Sequence, residues 1–145
     1  MELEIRQPKD EQEFERYYDL RWRVLRRPWT QPKESEKDEH ESGALHLTAW
    51  LGEKLVGVGR LHFNSPEEAQ IRFMAVEEGY TDLGIGGAIL ESLEAHARKQ
   101  SARVVVLNAR DRAVKFYERH GYQRVTSEAE RLFDSIMQWR MSKNL

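Results

Sequence analysis

A strand that runs through glycines straight into a helix leaves a chain few folds to choose from. Residues 73–97 read FMAVEEGYTDLGIGGAILESLEAHA. The apolar strand ends near Val76, a short polar turn follows, and Leu83-Gly84-Ile85-Gly86-Gly87 opens a strongly helical run. Glycine at such a junction lets the backbone come close to a ligand. The first helical turn carries N–H groups without intrahelical partners, and the helix dipole favours an anion there. The segment reads either as a phosphate cradle or as a plain helix start softened by glycine.

The spacing separates kinds of cradle. An NTPase loop needs Lys and then Ser or Thr directly after the second glycine of Gly-x-x-x-x-Gly. Gly79 and Gly84 have that spacing, but Ile85 and Gly86 follow, so no side chain is there for the β/γ-phosphates or magnesium. A dinucleotide fingerprint needs Gly-x-Gly-x-x-Gly. Gly84 and Gly86 begin it, and Ile89 stands at the third position. A glycine pair at the mouth of a helix after an antiparallel strand, taking a pyrophosphate without metal, fits better.

Around this segment the chain reads as one domain, 1–145, long enough to bury its own core. Residues 2–6 predict a short strand and 10–25 an amphipathic helix, broken by Pro28 and Pro32. Strands are predicted over 44–51, 55–63 and 69–76, joined by short turns into an antiparallel meander. A helix over 84–100, an apolar strand at 104–107, a helix over 110–120 ending at Gly121, and strands over 122–126 and 131–141 complete the order. This is an α/β (α+β) chain: a mixed sheet of about six to seven strands flanked by about four helices. The third meander strand changes parity. Ala69, Ile71 and Phe73 share one face, and Met74 and Val76 take the other. Either a β-bulge near Phe73–Met74 switches the faces or the strand end is buried on both.

Pairing the hairpins around their turns sets His46 opposite Arg60, Arg60 opposite Arg72, and His62 beside Gln70. Buried cations need partners. The ladder therefore either binds an anionic group of a substrate or pairs with the acidic stretch 34–41, which holds Glu34, Glu36, Asp38, Glu39 and Glu41. The chain has no cysteine, which removes disulfides and thiol catalysis and fits a cytoplasmic setting. A net charge of −2 gives no case for nucleic acid. The five histidines form no metal-ligand cluster, so no metal is expected. No apolar run approaches membrane-span length, and the first ten residues contain no secretory h-region.

In element order and in two motifs the chain resembles the GNAT superfamily of acetyl-CoA-dependent N-acyltransferases. The first motif, Gln/Arg-x-x-Gly-x-Gly/Ala, is matched by Thr81-Asp82-Leu83-Gly84-Ile85-Gly86. The second is a strand-end Asn, then Ala-x-x-Phe-Tyr on a helix, then Gly-Tyr. Here it is Asn108, Ala113-Val114-Lys115-Phe116-Tyr117 and Gly121-Tyr122. The resemblance implies acetyl-CoA as donor and direct transfer to a primary amine of a small molecule or an amino terminus. It implies a parallel, splayed pair made by the strand ending at Met74, Ala75 and Val76 and the strand ending at Asn108, with the pantetheine arm between them. By the same resemblance Thr81, Asp82, Leu83, Gly84, Ile85, Gly86, Gly87 and Phe116 hold the rest of the cofactor, and Tyr117 protonates the leaving thiolate. Read from the helix alone, Tyr117 is rather a packing residue beside Phe116, and Asn108 is equally a strand-end residue. Thr81 stands where the family has Gln or Arg, so backbone N–H groups must carry most of the pyrophosphate.

His46, Arg60, Arg72 and Glu39 are the expected acceptor contacts. Asp38, Glu39, Glu41, His46 and His62 are candidate bases beside a water chain. Lys115 and Arg119 lie one helical turn apart with Arg112 nearby, as a grip on the ribose phosphate or a solvated basic face. Two other readings use the same residues: a catalytically silent acyl-CoA sensor, and a partner-binding module presenting Trp22, Trp29 and the acidic stretch. A homodimer is compatible with all three.

Overall fold

Asp10 sets where the first helix begins. Its side chain accepts from the Glu13 N–H at 2.9 Å, meeting one of the donors that a helix start leaves free. Helix α1 (Glu11–Leu25) then turns Tyr17, Leu20, Arg21 and Leu25 inward at helical spacing. The computed structural model describes residues 2–145. Strand β1 (Leu3–Arg6) precedes α1. The meander follows as β2 (Leu45–Leu51), β3 (Lys54–Phe63) and β4 (Glu68–Val76). Then come α2 (Ile85–Lys99), β5 (Val104–Arg110), α3 (Val114–Arg119), β6 (Gln123–Arg124), β7 (Glu130–Leu132) and β8 (Ile136–Asn144).

The strands form one sheet in the order β1-β2-β3-β4-β5-β8-β6, with β7 also paired to β8. Every pair is antiparallel except β4 with β5. One face packs under α2 and α3, around Val56, Leu61, Ile71, Ile89, Leu93 and Leu107. The other packs under α1, around Trp50, Leu55, Val58, Phe73 and Ala75. Helix α2 lies flush on the sheet because Gly57 and Gly59 have no side chain. A Cβ at Gly59 would come within 2.7 Å of Ile89 and Met74. Among the described residues no helix is long and apolar enough to cross a membrane.

The structure corrects several expectations. The mixed sheet is the one expected, and among the described residues it has eight strands against about six to seven, with three α-helices and short 3-10 turns against about four helices. The strand expected over 131–141 is two, divided by a tight turn in which Phe133 and Asp134 take φ of 53° and 60°. Strand β5 runs on to Arg110, and a 3-10 turn at Asp111–Ala113 shortens the following helix to Val114–Arg119. Phe73 does not share a face with Ala69 and Ile71; it packs on the α1 side with Ala75. The register explains this. Val58 faces Ala75 and Arg60 faces Arg72, so β4 carries one residue more than β3 opposite Gly59. Phe73 sits in that bulge with φ 62°. A second shift, between Ala49 and Trp50, moves Leu55 to the α1 side as well.

Candidate active site

Strands β4 and β5 pair only from Glu68 opposite Val104 to Ile71 opposite Leu107. Beyond that both continue, to Val76 and Arg110, without bonding each other. The bulge lies at the parting point. An extra residue bends its strand and sharpens the local twist. A left-handed phenylalanine costs about 1–3 kcal/mol. Guanidinium groups stack around the buried ring and offset that cost: Arg21 at 4.3 Å, Arg72 at 4.4 Å, Arg60 at 4.9 Å and Arg26 at 5.6 Å.

The parted strands enclose an open cleft of about 670 Å³. Met74, Ala75 and Val76 form one wall, Asn108 and Ala109 the other, and Phe116 and Tyr117 close the α3 side. Past Ile71 the β5-facing edge of β4 is free of its ladder, which leaves main-chain groups to a guest in the cleft. Thr81 lines the cleft where the chain enters α2. Gly84 caps that helix at φ 80°, a conformation suited to glycine. Among the described residues no side chain caps this helix start, so its first N–H groups point outward unclaimed. Gly86 lies against Phe116: a Cβ there would meet the ring at 3.4 Å. Ile85 is buried beneath β3, and Leu83 is 63% exposed. The arrangement fits a phosphorylated, extended guest: anion-accepting N–H groups at the helix mouth, then a narrow channel between two strands.

Tyr117 is buried against the cleft. Burial alone pushes its phenol well above the ordinary tyrosine value, and no group among the described residues hydrogen-bonds the hydroxyl. The phenol therefore stays protonated at neutral pH with its donor uncommitted. Among the described residues six arginines and two glutamates line the cleft. Glu77 is held below the usual carboxylate range by hydrogen bonds from Arg23, at 2.8 and 2.9 Å. Arg26 is pushed down to about 10 by burial and by Arg72 and Arg21. Arg110 is pushed down to about 10 by burial and by Arg26 and Arg112.

The polar ladder has the expected register, His46–Arg60–Arg72 with His62 beside Gln70. Of the two outcomes open to it, the structure shows pairing with the acidic stretch. Arg60 is fully buried; it bonds both oxygens of Asp38, at 2.5 and 3.0 Å, and Glu41 at 2.7 Å. Arg21 bonds Glu41 through both oxygens at 3.0 Å. Against the upward push of burial, Arg60 holds Asp38 far below the usual carboxylate range. His46 accepts from Tyr17 at Nδ1 (2.7 Å), and its Nε2–H donates to the Glu41 carbonyl (2.7 Å). Glu39 is exposed beside His40 at 3.4 Å.

Of the expected contacts, Met74, Ala75, Val76, Thr81, Asn108, Phe116, Tyr117 and Arg72 line the cleft. Gly84, Ile85, Gly86 and Gly87 sit at the helix mouth beside it, with Asp82 and Leu83 in the turn before them. His46, Arg60 and Glu39 lie away from it, as do the candidate bases Asp38, Glu41 and His62. Lys115 and Arg119 are exposed on α3, and only Arg112 of that trio reaches the cleft. Trp22 and Trp29 are half-buried: the Trp22 indole donates to the Gln31 carbonyl at 3.0 Å, and Arg110 stacks on Trp29 at 4.5 Å. Periodicity gave no sign of Arg26 and Arg110 in the cleft. Their meeting depends on how α1 docks across the end of β5.

Comparisons with known proteins agree with this geometry. The model of the acetyltransferase (GNAT) family matches residues 14–122. A Bacillus subtilis protein described as an uncharacterized N-acetyltransferase, YjcF, is 34% identical over 136 residues, covering 94% of this chain and 96% of that protein. Among solved structures, Escherichia coli ElaA superposes with a TM-score of 0.81 at 19% identity, covering 98% of both chains. A GNAT family acetyltransferase from Elizabethkingia anophelis with acetyl-CoA bound gives 0.74 at 17% identity, over 99% of this chain and 98% of that one.

Proposed function

The chain belongs to the acetyltransferase (GNAT) family, and from that premise we propose that it moves an acetyl group from acetyl-CoA directly to a primary amine of a small molecule or an amino terminus. The observation that carries the reading is the splayed β4–β5 cleft, with an uncapped helix start at one side and an uncommitted phenol inside. When bound, acetyl-CoA supplies a thioester whose acyl carbon is open to direct attack by an amine. The N–H groups of Ile85, Gly86 and Gly87 take its pyrophosphate, and the free edge at Met74, Ala75 and Val76 takes the amides of its extended arm. Asn108 stands across from that edge. Thr81 adds one neutral hydrogen bond, so the helix dipole carries most of the attraction for the phosphates.

The residues then handle protons. Arginines crowding the cleft disfavour a second cation, so the acceptor's neutral amine is the form it admits. The new bond joins amine nitrogen to acyl carbon as the carbon–sulfur bond breaks. Tyr117 gives its hydroxyl proton to the departing sulfur and offsets its growing charge. The proton lost by the nitrogen returns through water to Tyr117. Among the described residues no imidazole lines the cleft, and Glu77 is committed to Arg23.

Gly86→Glu tests the cofactor half. The position has ordinary helical backbone and room for a Cβ, so the fold is kept while a carboxylate enters the helix mouth. Calorimetry is expected to show acetyl-CoA affinity lost with the unfolding curve unchanged, and unaltered affinity would overturn the reading. Release of the CoA thiol over a panel of amines tests the transfer half.

A further inference from the structure

We propose that Arg26 and Arg110 form a binding site for an anionic group, a carboxylate or phosphate, carried by the amine acceptor. That an amine acceptor carries the anion rests on the acetyl-transfer reading; the anion site itself does not. Both guanidinium groups converge on one atom. Arg26 Nη1 donates to the Leu25 carbonyl at 3.0 Å, and Arg110 Nη2 donates to the same oxygen at 2.8 Å. Arg26 is 5% exposed and spends its Nε on the Ser35 carbonyl at 3.0 Å. Arg110 Nη1 is buried and has no hydrogen-bond partner. Among the described residues no carboxylate pairs with either group, whereas Arg6, Arg21, Arg23, Arg60 and Arg72 all have one. The one carboxylate that bears on Arg26 is Glu36, the weakest of the influences on it, and Glu36 already accepts the Glu34 N–H.

Two neighbouring desolvated cations without a counter-charge are costly, and an anion reverses the sign of that cost. The walls hold the cations in place. Arg110 lies on Trp29 at 4.5 Å, and Arg26 lies over Phe133 at 5.0 Å. Planar groups stacked in this way are pre-organised for bidentate pairing with a carboxylate or phosphate. Arg72 and Arg112 extend the positive field along the same cleft.

Placement separates this anion from the cofactor's. The α2 helix mouth lies on the face that packs around Ile85 and Ile89. Arg26 and Arg110 meet at Leu25, which belongs to the α1 face with Phe73. The cleft runs between the two faces, so a donor entering past α2 brings its acyl end toward the arginines, where the acceptor must arrive.

The test uses the whole chain and matched acceptors. Amino carboxylates of increasing length, α-amino acids included, are set against their neutral amides, and phosphoethanolamine against ethanolamine, with CoA thiol release as readout. The wild type is expected to show the lower KM for the anionic member. Arg26→Gln and Arg110→Gln are each expected to raise that KM roughly 10- to 100-fold, the worth of charge-assisted hydrogen bonds, and to leave the neutral member nearly unmoved. Arg98→Gln, exposed on α2, serves as control. A preference for neutral amines, or equal losses for both members, overturns the proposal. So does a site that serves the donor, seen as succinyl-CoA replacing acetyl-CoA and only the succinyl activity falling in the variants.

A second arm needs no turnover. With CoA present to occupy the α2 mouth, inorganic phosphate and N-acetylglycine are expected to raise the Tm of the wild type and not of either variant. No shift in the wild type overturns the anion site even if amines are acetylated. A shift without acetylation of any amine keeps the anion site and removes the transfer reading instead. If one variant does not fold, the other carries both arms.

Discussion

Arg60 and Arg110 are both drawn into the α1 face of one sheet, and their surroundings differ completely. Arg60 is closed in by Asp38 and Glu41, carboxylates from a segment that folds over it for this purpose. Arg110 has a carbonyl, an indole face and a buried nitrogen without a hydrogen-bond partner among the described residues. A buried cation that the chain neutralises itself is part of the architecture. One left unneutralised is a standing demand for a guest. The acidic stretch could have served either purpose; its carboxylates bond Arg60 and Arg72, and none of its own residues lines the cleft.

The sharpest way to break this contrast is to remove the counter-charge from the closed region. Glu41 bonds Arg21 and Arg60 and accepts the Tyr18 hydroxyl and the Asp38 N–H. Glu41→Ala strands the buried Arg21 guanidinium, leaves Arg60 to Asp38 alone, and is expected to cost about 3–5 kcal/mol, read by urea unfolding at neutral pH. A loss under about 1 kcal/mol, the range of exposed pairs, would mean that Glu41 does little to neutralise the buried arginines, and the contrast would fail.

In the cleft the expected change is in rate. Tyr117→Phe removes one oxygen that no group among the described residues hydrogen-bonds, so stability and acetyl-CoA affinity are expected to hold. Turnover is expected to fall about 100-fold, the lower range for a positioned proton donor. Steady-state kinetics beside calorimetry checks the split. Equal turnover in the two proteins reduces Tyr117 to a packing residue.

Acid should act on the closed region first. Burial, ahead of any charge, holds the pKa of His46 and of His62 below the ordinary imidazole value. Both rings have neutral roles: Nδ1 of His62 accepts from Arg60 at 2.8 Å, and that of His46 accepts from Tyr17. The unfolded chain takes up protons near pH 6.5 that the folded protein refuses. The stability they contribute is complete above that pH and is lost as pH falls through it toward the folded values. Thermal unfolding at pH 7.5 and pH 5.5 should show the loss, and His46→Gln should reduce it. An identical slope in that variant would remove His46 from the account.

How much of this could be read from the sequence follows from how local each cause is. The ladder register was legible because tight turns fix hairpin pairing, and the parity break at Phe73–Met74 marked the bulge. The glycine-led helix was legible from Gly84 and Gly86, whereas the splay entered only through the family resemblance. The division of β7 from β8 was hidden, since its turn uses Phe133 and Asp134 in left-handed backbone where glycine would have signalled it. The direction of Phe73 was hidden because the bulge reverses the face that alternation assigns. The meeting of Arg110 with Leu25 across 85 positions is set by helix docking, and no periodicity encodes it.

Arg72 belongs to both regions, and the smallest expected effect is the most discriminating. Its side chain is 44% exposed, it bonds Asp38 at 2.8 Å, it stacks on Phe73 at 4.4 Å and it lines the cleft. An exposed ion pair contributes about 0–1 kcal/mol. Arg72→Ala is therefore expected to lower stability only slightly, because Arg60 still neutralises Asp38. It also removes one cation from the cleft's field without taking a hydrogen bond from the Arg26–Arg110 site, so KM for an anionic acceptor should rise only a few-fold, and less at high salt. Stability loss with an unchanged KM assigns Arg72 to the closed region alone. A KM change as large as that of Arg110→Gln moves the anion site onto β4 and makes Arg72, with Arg110, its second arm.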